Sequence, residues 1–285
     1  MRSRRFGRLG WQVSEIGHGM WGMAGWTGSD DASSLQALSR SVALGCNFFD
    51  TAWNYGQGKS ERLLGELVRA HPDQRLYTAS KIPPKNGKFP PPRGLPLDEA
   101  YPPDHIRACL ERTLANLGLS CLDLAQLHVW DDGWADDERW QRPLDDARRE
   151  GLIRGIGLSL NRWEPTNGLR ALRTGVVDAV QVVYNVFDQN PEDELFPLCR
   201  ERDIAVIARV PFDEGTLTGT LTRETRWPEG DWRNTYFVPE NLSASVDRAE
   251  ALRPLVPAGM TMPELALRWI LEEPAISTII PGMRK

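Results

Sequence analysis

The chain has few cysteines, no long hydrophobic run and no concentration of basic charge, and each absence excludes a class of protein. No stretch approaches the ~18 apolar residues that a membrane-spanning helix needs. The four cysteines, Cys46, Cys109, Cys121 and Cys199, lack the close spacing of metal ligands. The net charge is −5, with both signs interspersed, which argues against a nucleic-acid partner. We therefore expect a soluble, cytoplasmic protein that binds neither membrane nor nucleic acid.

What is present is an alternation of strand-like and helical patterns along the whole chain. Some runs, such as 180–183 and 204–207, are aliphatic on both faces, which is typical of strands buried on both sides. The predicted strands lie near 13–19, 45–50, 76–80, 122–128, 154–159, 178–184, 204–209 and 276–280. Eight strands alternating with helices over about 250 residues predict a single (β/α)8 TIM-barrel domain spanning 1–285. A doubly wound sheet describes this alternation less well than a closed parallel barrel.

Three segments interrupt the alternation. Residues 6–12 are expected to form a small β-hairpin before the first strand. Residues 83–103 contain eight prolines, so they can hardly be helix or central strand. This segment and the Gly- and Trp-rich insertion at 211–240 both follow strands, so we expect both to be long loops at the C-terminal face of the barrel, where active sites form.

The sequence stops directly after the eighth predicted strand, at 281–285. A barrel needs an eighth helix to cover the outer face of that strand. We therefore expect the eighth helix to be missing from this sequence and the natural chain to continue.

Polar residues stand where successive predicted strands end. Asp50, Lys81 and His128 close three of the runs, and Tyr55 follows Asp50 after a short loop. Each could be structural: a turn cap, a solvent-facing lysine, a hydrogen-bonded histidine, a turn aromatic. Neighbouring strands lie roughly 4.8 Å apart, however, so residues at matching strand ends can touch. Together the four residues predict a proton-transfer site.

Several short motifs, in their joint order, resemble those of the aldo-keto reductases. The likeness runs from about residue 6 to residue 282. Its motifs are Asp50-Thr51-Ala52 with Tyr55-Gly56, Gly58-Lys59-Ser60-Glu61, Gln126-Leu127-His128, Glu150-Gly151-Leu152-Ile153-Arg154, Gln181 with Tyr184-Asn185, Gly215-Thr216-Leu217-Thr218-Gly219 and Ile280-Pro281-Gly282.

The resemblance implies an enzyme that reduces a small-molecule carbonyl with a nicotinamide cofactor, typically NADPH, with NADH possible. It also implies that Tyr55 donates the proton, Lys81 tunes it, Asp50 holds Lys81 and His128 orients the carbonyl. A lysine ammonium beside a phenol favours the phenolate, which makes the phenol a better acid. The residues implied to contact the cofactor are Gly19, Met20, Trp21, Ser159, Asn161, Gln181, Arg209, Val210, Pro211, Phe212, Gly215, Leu217, Gly282, Met283 and Arg284.

Two departures from the family pattern bear on the cofactor site. Leu160 separates Ser159 from Asn161, which the family usually has side by side. Arg209 stands where the family commonly has an aromatic residue that stacks on the nicotinamide. A guanidinium can stack on a flat ring but repels the positively charged oxidised one. We hypothesise that Arg209 weakens binding of the oxidised cofactor relative to the reduced one.

Tryptophans on the predicted mouth loops do not decide which substrate the protein binds. They can form an aromatic substrate pocket or can merely pack the loops against each other. The candidates for the pocket are Trp21, Trp26, Trp53 and Trp130. Two other functions also remain open: a sugar or polyol dehydrogenase that runs the reaction in reverse, and a slow-turnover regulatory subunit that senses nucleotide.

Overall fold

The computed structural model describes residues 1–24 and 28–283, and its centre is an eight-stranded parallel sheet. The strands follow one another around the sheet in chain order, so each pairs with the next strand in the sequence. All eight predicted strands are present, with shifted ends. They are β3 (His18–Gly19), β4 (Phe48–Asp50), β5 (Tyr77–Ile82), β6 (Leu122–Leu127), β7 (Ile153–Ser159), β8 (Ala179–Val183), β9 (Ala205–Arg209) and β10 (Ile276–Ile279).

Backbone hydrogen bonds join the first and last strands of the sheet. The Gly17 amide donates to the Ile279 carbonyl at 2.7 Å, and the Gly19 amide donates to the Pro281 carbonyl at 2.9 Å. A Cβ at position 19 would lie 2.6 Å from the Ile280 carbonyl oxygen, so only glycine permits this approach. The predicted (β/α)8 barrel is confirmed.

Helices connect successive strands and bury one face against the sheet. The predicted helix at 104–117 is present and turns Ile106, Cys109, Leu110, Leu114 and Leu117 inward. Among the described residues, no helix is long and apolar enough to span a membrane. The helices are α1 (Asp31–Ala43), α2 (Lys59–Ala70), α3 (Leu97–Ala100), α4 (Pro103–Leu117), α5 (Glu138–Arg149), α6 (Leu169–Arg173), α7 (Leu195–Arg202), α8 (Arg233–Tyr236), α9 (Pro239–Leu252) and α10 (Met262–Glu272).

The N-terminal hairpin is longer than predicted and covers the bottom of the barrel. Its strands are β1 (Ser3–Phe6) and β2 (Trp11–Ser14), so residues 13–14 belong to the hairpin and the prediction of one strand over 13–19 was wrong there. The Trp11 ring stacks on Phe6, with ring centres 5.3 Å apart, and on Tyr77 at 5.1 Å. Because this aromatic cluster covers the amino ends of the strands, the opposite face is left for a site.

The proline-rich segment contains one helical turn, α3, which the prediction excluded. The turn forms because residues 97–101 contain no proline, while Pro96 precedes the turn and Pro103 begins α4. Proline is tolerated at the start of a helix, where its missing N–H would have no partner. The prediction against helix was therefore wrong for this turn.

His18 gives the fold a predictable acid sensitivity. Its buried ring makes a 2.9 Å hydrogen bond from Nδ1 to Ser41 Oγ on α1, and burial lowers the pKa of His18 to about 4. The unfolded chain takes up this proton near pH 6.5, so stability falls as pH drops from about 6.5 towards 4. Between pH 7 and pH 5, we expect the free energy of unfolding to fall by roughly 1–2 kcal/mol more in wild type than in His18→Gln. Urea unfolding at the two pH values measures this difference. Equal losses in the two proteins would contradict this account.

Candidate active site

Asp50, Tyr55 and Lys81 lie together at the carboxyl end of the barrel. Asp50 is the last residue of β4, Lys81 lies on the adjacent β5, and Tyr55 follows in the turn after β4. The Lys81 ammonium forms an ion pair with Asp50 and donates to the Thr51 carbonyl at 2.9 Å and to the Tyr55 hydroxyl at 3.3 Å. An ammonium has three N–H groups, and these three contacts use all of them. The lysine is thereby fixed with one proton aimed at the phenol oxygen.

Lys81 keeps its charge although its side chain is 1% exposed. Burial by itself disfavours the ammonium, but the charges of Asp50 and Tyr55 and their hydrogen bonds outweigh it, so the pKa of Lys81 is raised. A permanently charged lysine stabilises a phenolate at Tyr55. This arrangement suits a phenol that gives up a proton.

His128 lies just after β6, with its ring 6.0 Å from the Tyr55 ring and edge-on to it. Burial and the nearby charges of Lys81 and Arg209 hold the pKa of His128 well below its usual value. The imidazole is therefore neutral at physiological pH. A neutral imidazole can donate one hydrogen bond to a ligand oxygen.

A cavity of about 600 Å³ opens directly above these residues. It exposes Asp50, Tyr55 and His128, and it brings together most of the residues predicted to contact a cofactor. The predicted residues that line it are Gly19, Met20, Trp21, Gln181, Arg209, Val210, Pro211, Phe212, Gly215, Gly282 and Met283.

Asn161, Ser159 and Leu217 were predicted to contact the cofactor, but they do not line this cavity. The Asn161 amide nitrogen donates to the Trp130 carbonyl at 2.8 Å, and its oxygen accepts from the Trp130 amide at 3.2 Å. One extra residue, the buried Leu160, carries Asn161 past the cavity to the neighbouring loop. Asn161 holds two mouth loops together.

The tryptophans divide between the cavity and the packing of loops. Trp21 lines the cavity, whereas Trp130 is fully buried against Trp140, with ring centres 5.0 Å apart. Trp53 lies under the Arg112 guanidinium, 4.0 Å away, and does not line the cavity either. The remaining predictions, Trp26 and Arg284, lie outside the described residues.

Ion pairs and aromatic contacts at the mouth were not predicted. Arg162, after β7, pairs with Glu214, after β9, and Arg233 pairs with Asp231 within the insertion at 2.7 Å. The insertion also brings Trp232 to Trp21, with ring centres 5.0 Å apart. Phe89 of the proline-rich segment lines the cavity too, as expected for a long loop at the C-terminal face. The sequence identified the two segments but gave no signal for these contacts between distant loops.

Comparison with known proteins identifies the family to which this site belongs. The family model described as "Aldo/keto reductase family" matches residues 15–285. The chain belongs to the aldo/keto reductase family. It is 29% identical to the NADH-specific methylglyoxal reductase of Escherichia coli (strain K12), over 95% of this chain and 86% of that relative. It is also 29% identical to the aldo-keto reductase yakc [NADP(+)] of Schizosaccharomyces pombe, over 96% of this chain and 81% of that relative.

Solved structures support the barrel architecture of this aldo/keto reductase. A glycerol dehydrogenase from Gluconobacter oxydans superposes with a TM-score of 0.80 at 24% identity, over 99% of this chain and 86% of that one. The holo form of an aldo-keto reductase from Bacillus halodurans superposes with a TM-score of 0.78 at 24% identity, over 100% of this chain and 87% of that one. At this identity the likeness bears on the fold alone.

The contacts of Asn161 predict a structural role for it. Asn161→Ala should lower the free energy of unfolding by about 2 kcal/mol, because the buried Trp130 amide loses its acceptor and the Trp130 carbonyl keeps only the bond from Asn167. Asn241→Ala, which removes one bond to the Tyr236 carbonyl, is the control and should cost less. Urea unfolding of both variants measures the loss in the free energy of unfolding. Equal losses in the two variants would contradict the conclusion that Asn161 links the two mouth loops.

Proposed function

We propose that this aldo/keto reductase reduces the carbonyl of a small aldehyde or ketone to an alcohol, using a reduced nicotinamide cofactor. The observation that carries the proposal is the Lys81 ammonium, buried against Asp50 and donating to the Tyr55 hydroxyl at the floor of an open cavity. Carbonyl reduction requires a proton on oxygen as negative charge develops there, and this group of residues suits that task.

The residues around the cavity fit a nicotinamide dinucleotide. Gln181 lines the cavity and directs both of its amide N–H groups into the protein, which leaves its oxygen to accept from a carboxamide. A Cβ at Gly215 or Gly282 would meet nothing within 4 Å, so a ligand can approach the backbone closely there. Trp21 and Phe212 add flat apolar surface. When bound, the reduced nicotinamide supplies the hydride.

The named relatives support either form of the cofactor, since one is NADH-specific and the other carries NADP(+) in its name. We propose NADPH as the cofactor and NADH as the alternative. Fluorescence titration of the protein with each should give the lower Kd for NADPH. A clearly lower Kd for NADH would reverse the assignment.

The four polar residues then have distinct tasks. Neutral His128 donates to the carbonyl oxygen and fixes its direction, and Tyr55 delivers the proton to that oxygen. Lys81 stabilises the phenolate left behind, and Asp50 keeps Lys81 charged and in place. A panel of aldehydes and ketones, assayed with NADPH and NADH, tests the proposal, and no turnover with any of them would overturn it.

Tyr55→Phe removes only the hydroxyl that is proposed to donate the proton. Because a positioned general acid contributes on the order of 10²–10⁴ in rate, we expect kcat to fall by at least about 10². The Kd of the reduced cofactor should stay within about twofold, since the ring remains. Tyr77→Phe, at the covered bottom of the barrel, is the control and should keep wild-type turnover. Turnover of Tyr55→Phe within tenfold of wild type would contradict the assignment.

Arg209 is proposed to disfavour the oxidised cofactor. Its guanidinium lines the cavity and donates to the Leu160 carbonyl at 3.1 Å, and it forms no ion pair within the described part of the chain. Burial lowers the pKa of Arg209 to about 10, so it stays charged at neutral pH. The oxidised nicotinamide ring is positive and the reduced ring is neutral. An unpaired guanidinium therefore opposes only the oxidised form.

Replacing this charge should change the relative affinity for the two redox forms. Arg209→Tyr should lower the ratio of the oxidised to the reduced Kd by about fivefold or more, whereas Arg209→Lys should keep it near wild type. Fluorescence titration with each redox form measures the ratio. An unchanged ratio in Arg209→Tyr would reject the proposal.

A further inference from the structure

Two buried side-chain amides meet the Asp50 carboxylate on the side away from Lys81. Gln126 on β6 and Gln181 on β8 each donate from Nε2 to Asp50 Oδ2, both at 2.9 Å. Lys81 pairs with the other oxygen, Oδ1. Gln126 is 0% exposed and Gln181 is 2% exposed. Asp50 thus connects Lys81, which contacts Tyr55, to the amides of Gln126 and Gln181. These amides extend to the opposite side of the barrel.

The two amides also bond to each other, and this fixes the direction of Gln181. Its Nε2 donates a second bond, to Gln126 Oε1 at 3.1 Å. An amide nitrogen has two protons, so both donors of Gln181 are used. If the Gln181 amide turned over, its oxygen would face the Asp50 carboxylate and the Gln126 oxygen, a repulsive arrangement. Gln181 is therefore held with its carbonyl oxygen available to the cavity that it lines.

The barrel provides a path for the Gln126 side chain. Strand β7 lies between β6 and β8, and Gln126 is paired with Gly157 on β7. A Cβ at position 157 would lie 2.8 Å from Gln126 Cγ. The side chain of Gln126 can cross β7 to reach Gln181 only because residue 157 has no side chain.

We propose that Gln126 is a positioning residue, which holds the Gln181 amide with its oxygen towards the nicotinamide carboxamide and holds the Asp50 carboxylate in line with Lys81. This rests on the proposed function, because it assigns Gln181 to the cofactor. Gln126 does not line the cavity and acts through its two partners. Positioning Gln181 in this way should make the protein select a cofactor whose ring substituent carries an N–H donor.

A cofactor analogue separates this role from a merely structural one. The 3-acetylpyridine dinucleotide has a methyl ketone in place of the carboxamide, so it offers no N–H to the Gln181 oxygen. Wild type should bind the nicotinamide dinucleotide about 5–10-fold more tightly than this analogue, as expected for one neutral hydrogen bond. Gln126→Met fills the same space without an amide, so only the Asp50 carboxylate still holds the Gln181 nitrogen and the amide can tilt out of line with the carboxamide. The preference should then fall to about twofold or less.

A second variant and a control make the result specific. Gly157→Ala is a change on the neighbouring strand, and its added methyl group displaces the Gln126 side chain. It should also reduce the preference for the nicotinamide dinucleotide, so the test does not depend on one substitution. Thr278→Val removes a buried hydrogen bond to the Ser14 carbonyl, 2.9 Å long, on the other side of the barrel. It should lower the melting temperature but leave the preference unchanged.

The outcomes separate this inference from the proposed function. An undiminished preference in folded Gln126→Met and Gly157→Ala would overturn the role of Gln126, and so would wild type that binds both dinucleotides equally. Loss of the preference in both variants, with Thr278→Val unchanged, is the expected result. Wild type that binds neither dinucleotide and reduces no carbonyl would instead overturn the proposed function itself.

Discussion

The candidate site depends on one buried ion pair, between Lys81 and Asp50. Taking two charges out of water costs several kcal/mol per ion, and the cost is offset only where further hydrogen bonds satisfy both groups. Here the Thr51 carbonyl and the Tyr55 hydroxyl take the remaining lysine protons, and Gln126 and Gln181 satisfy the second carboxylate oxygen. Both members of the ion pair therefore have all their hydrogen-bonding groups satisfied. The charge of Lys81 acts on one phenol, that of Tyr55.

The rest of the fold makes such a pair possible. The carboxyl ends of adjacent parallel strands meet at one face, which brings the ends of β4, β5, β6 and β8 to a common point. The N-terminal hairpin covers the other face with Phe6 and Trp11. The long segments at the mouth supply aromatic rings and paired charges around a cavity. The candidate site thus lies at the end of the barrel opposite the hairpin.

The sequence predicted the parts of the site that follow from strand periodicity. Asp50, Lys81 and His128 stand at strand ends, so their meeting follows from the barrel itself. Asn161 and Trp130 could not be placed in this way, because a single extra residue, Leu160, decides which way a loop side chain points. Arg162 and Glu214 lie on loops 52 residues apart, and no local pattern records that they meet. Gln126 belongs to the motif Gln126-Leu127-His128, but its contact with Gln181 depends on Gly157 on the strand between them.

A double-mutant cycle tests most directly whether Lys81 acts through Tyr55. Single-turnover reduction of a carbonyl would be measured in wild type, Tyr55→Phe, Lys81→Met and the double variant, with cofactor saturating. The account predicts that each single change lowers the rate by at least about 10² and that the double variant is little slower than Tyr55→Phe alone. Losses that multiply in the double variant would show that lysine and phenol act independently, and would contradict the account.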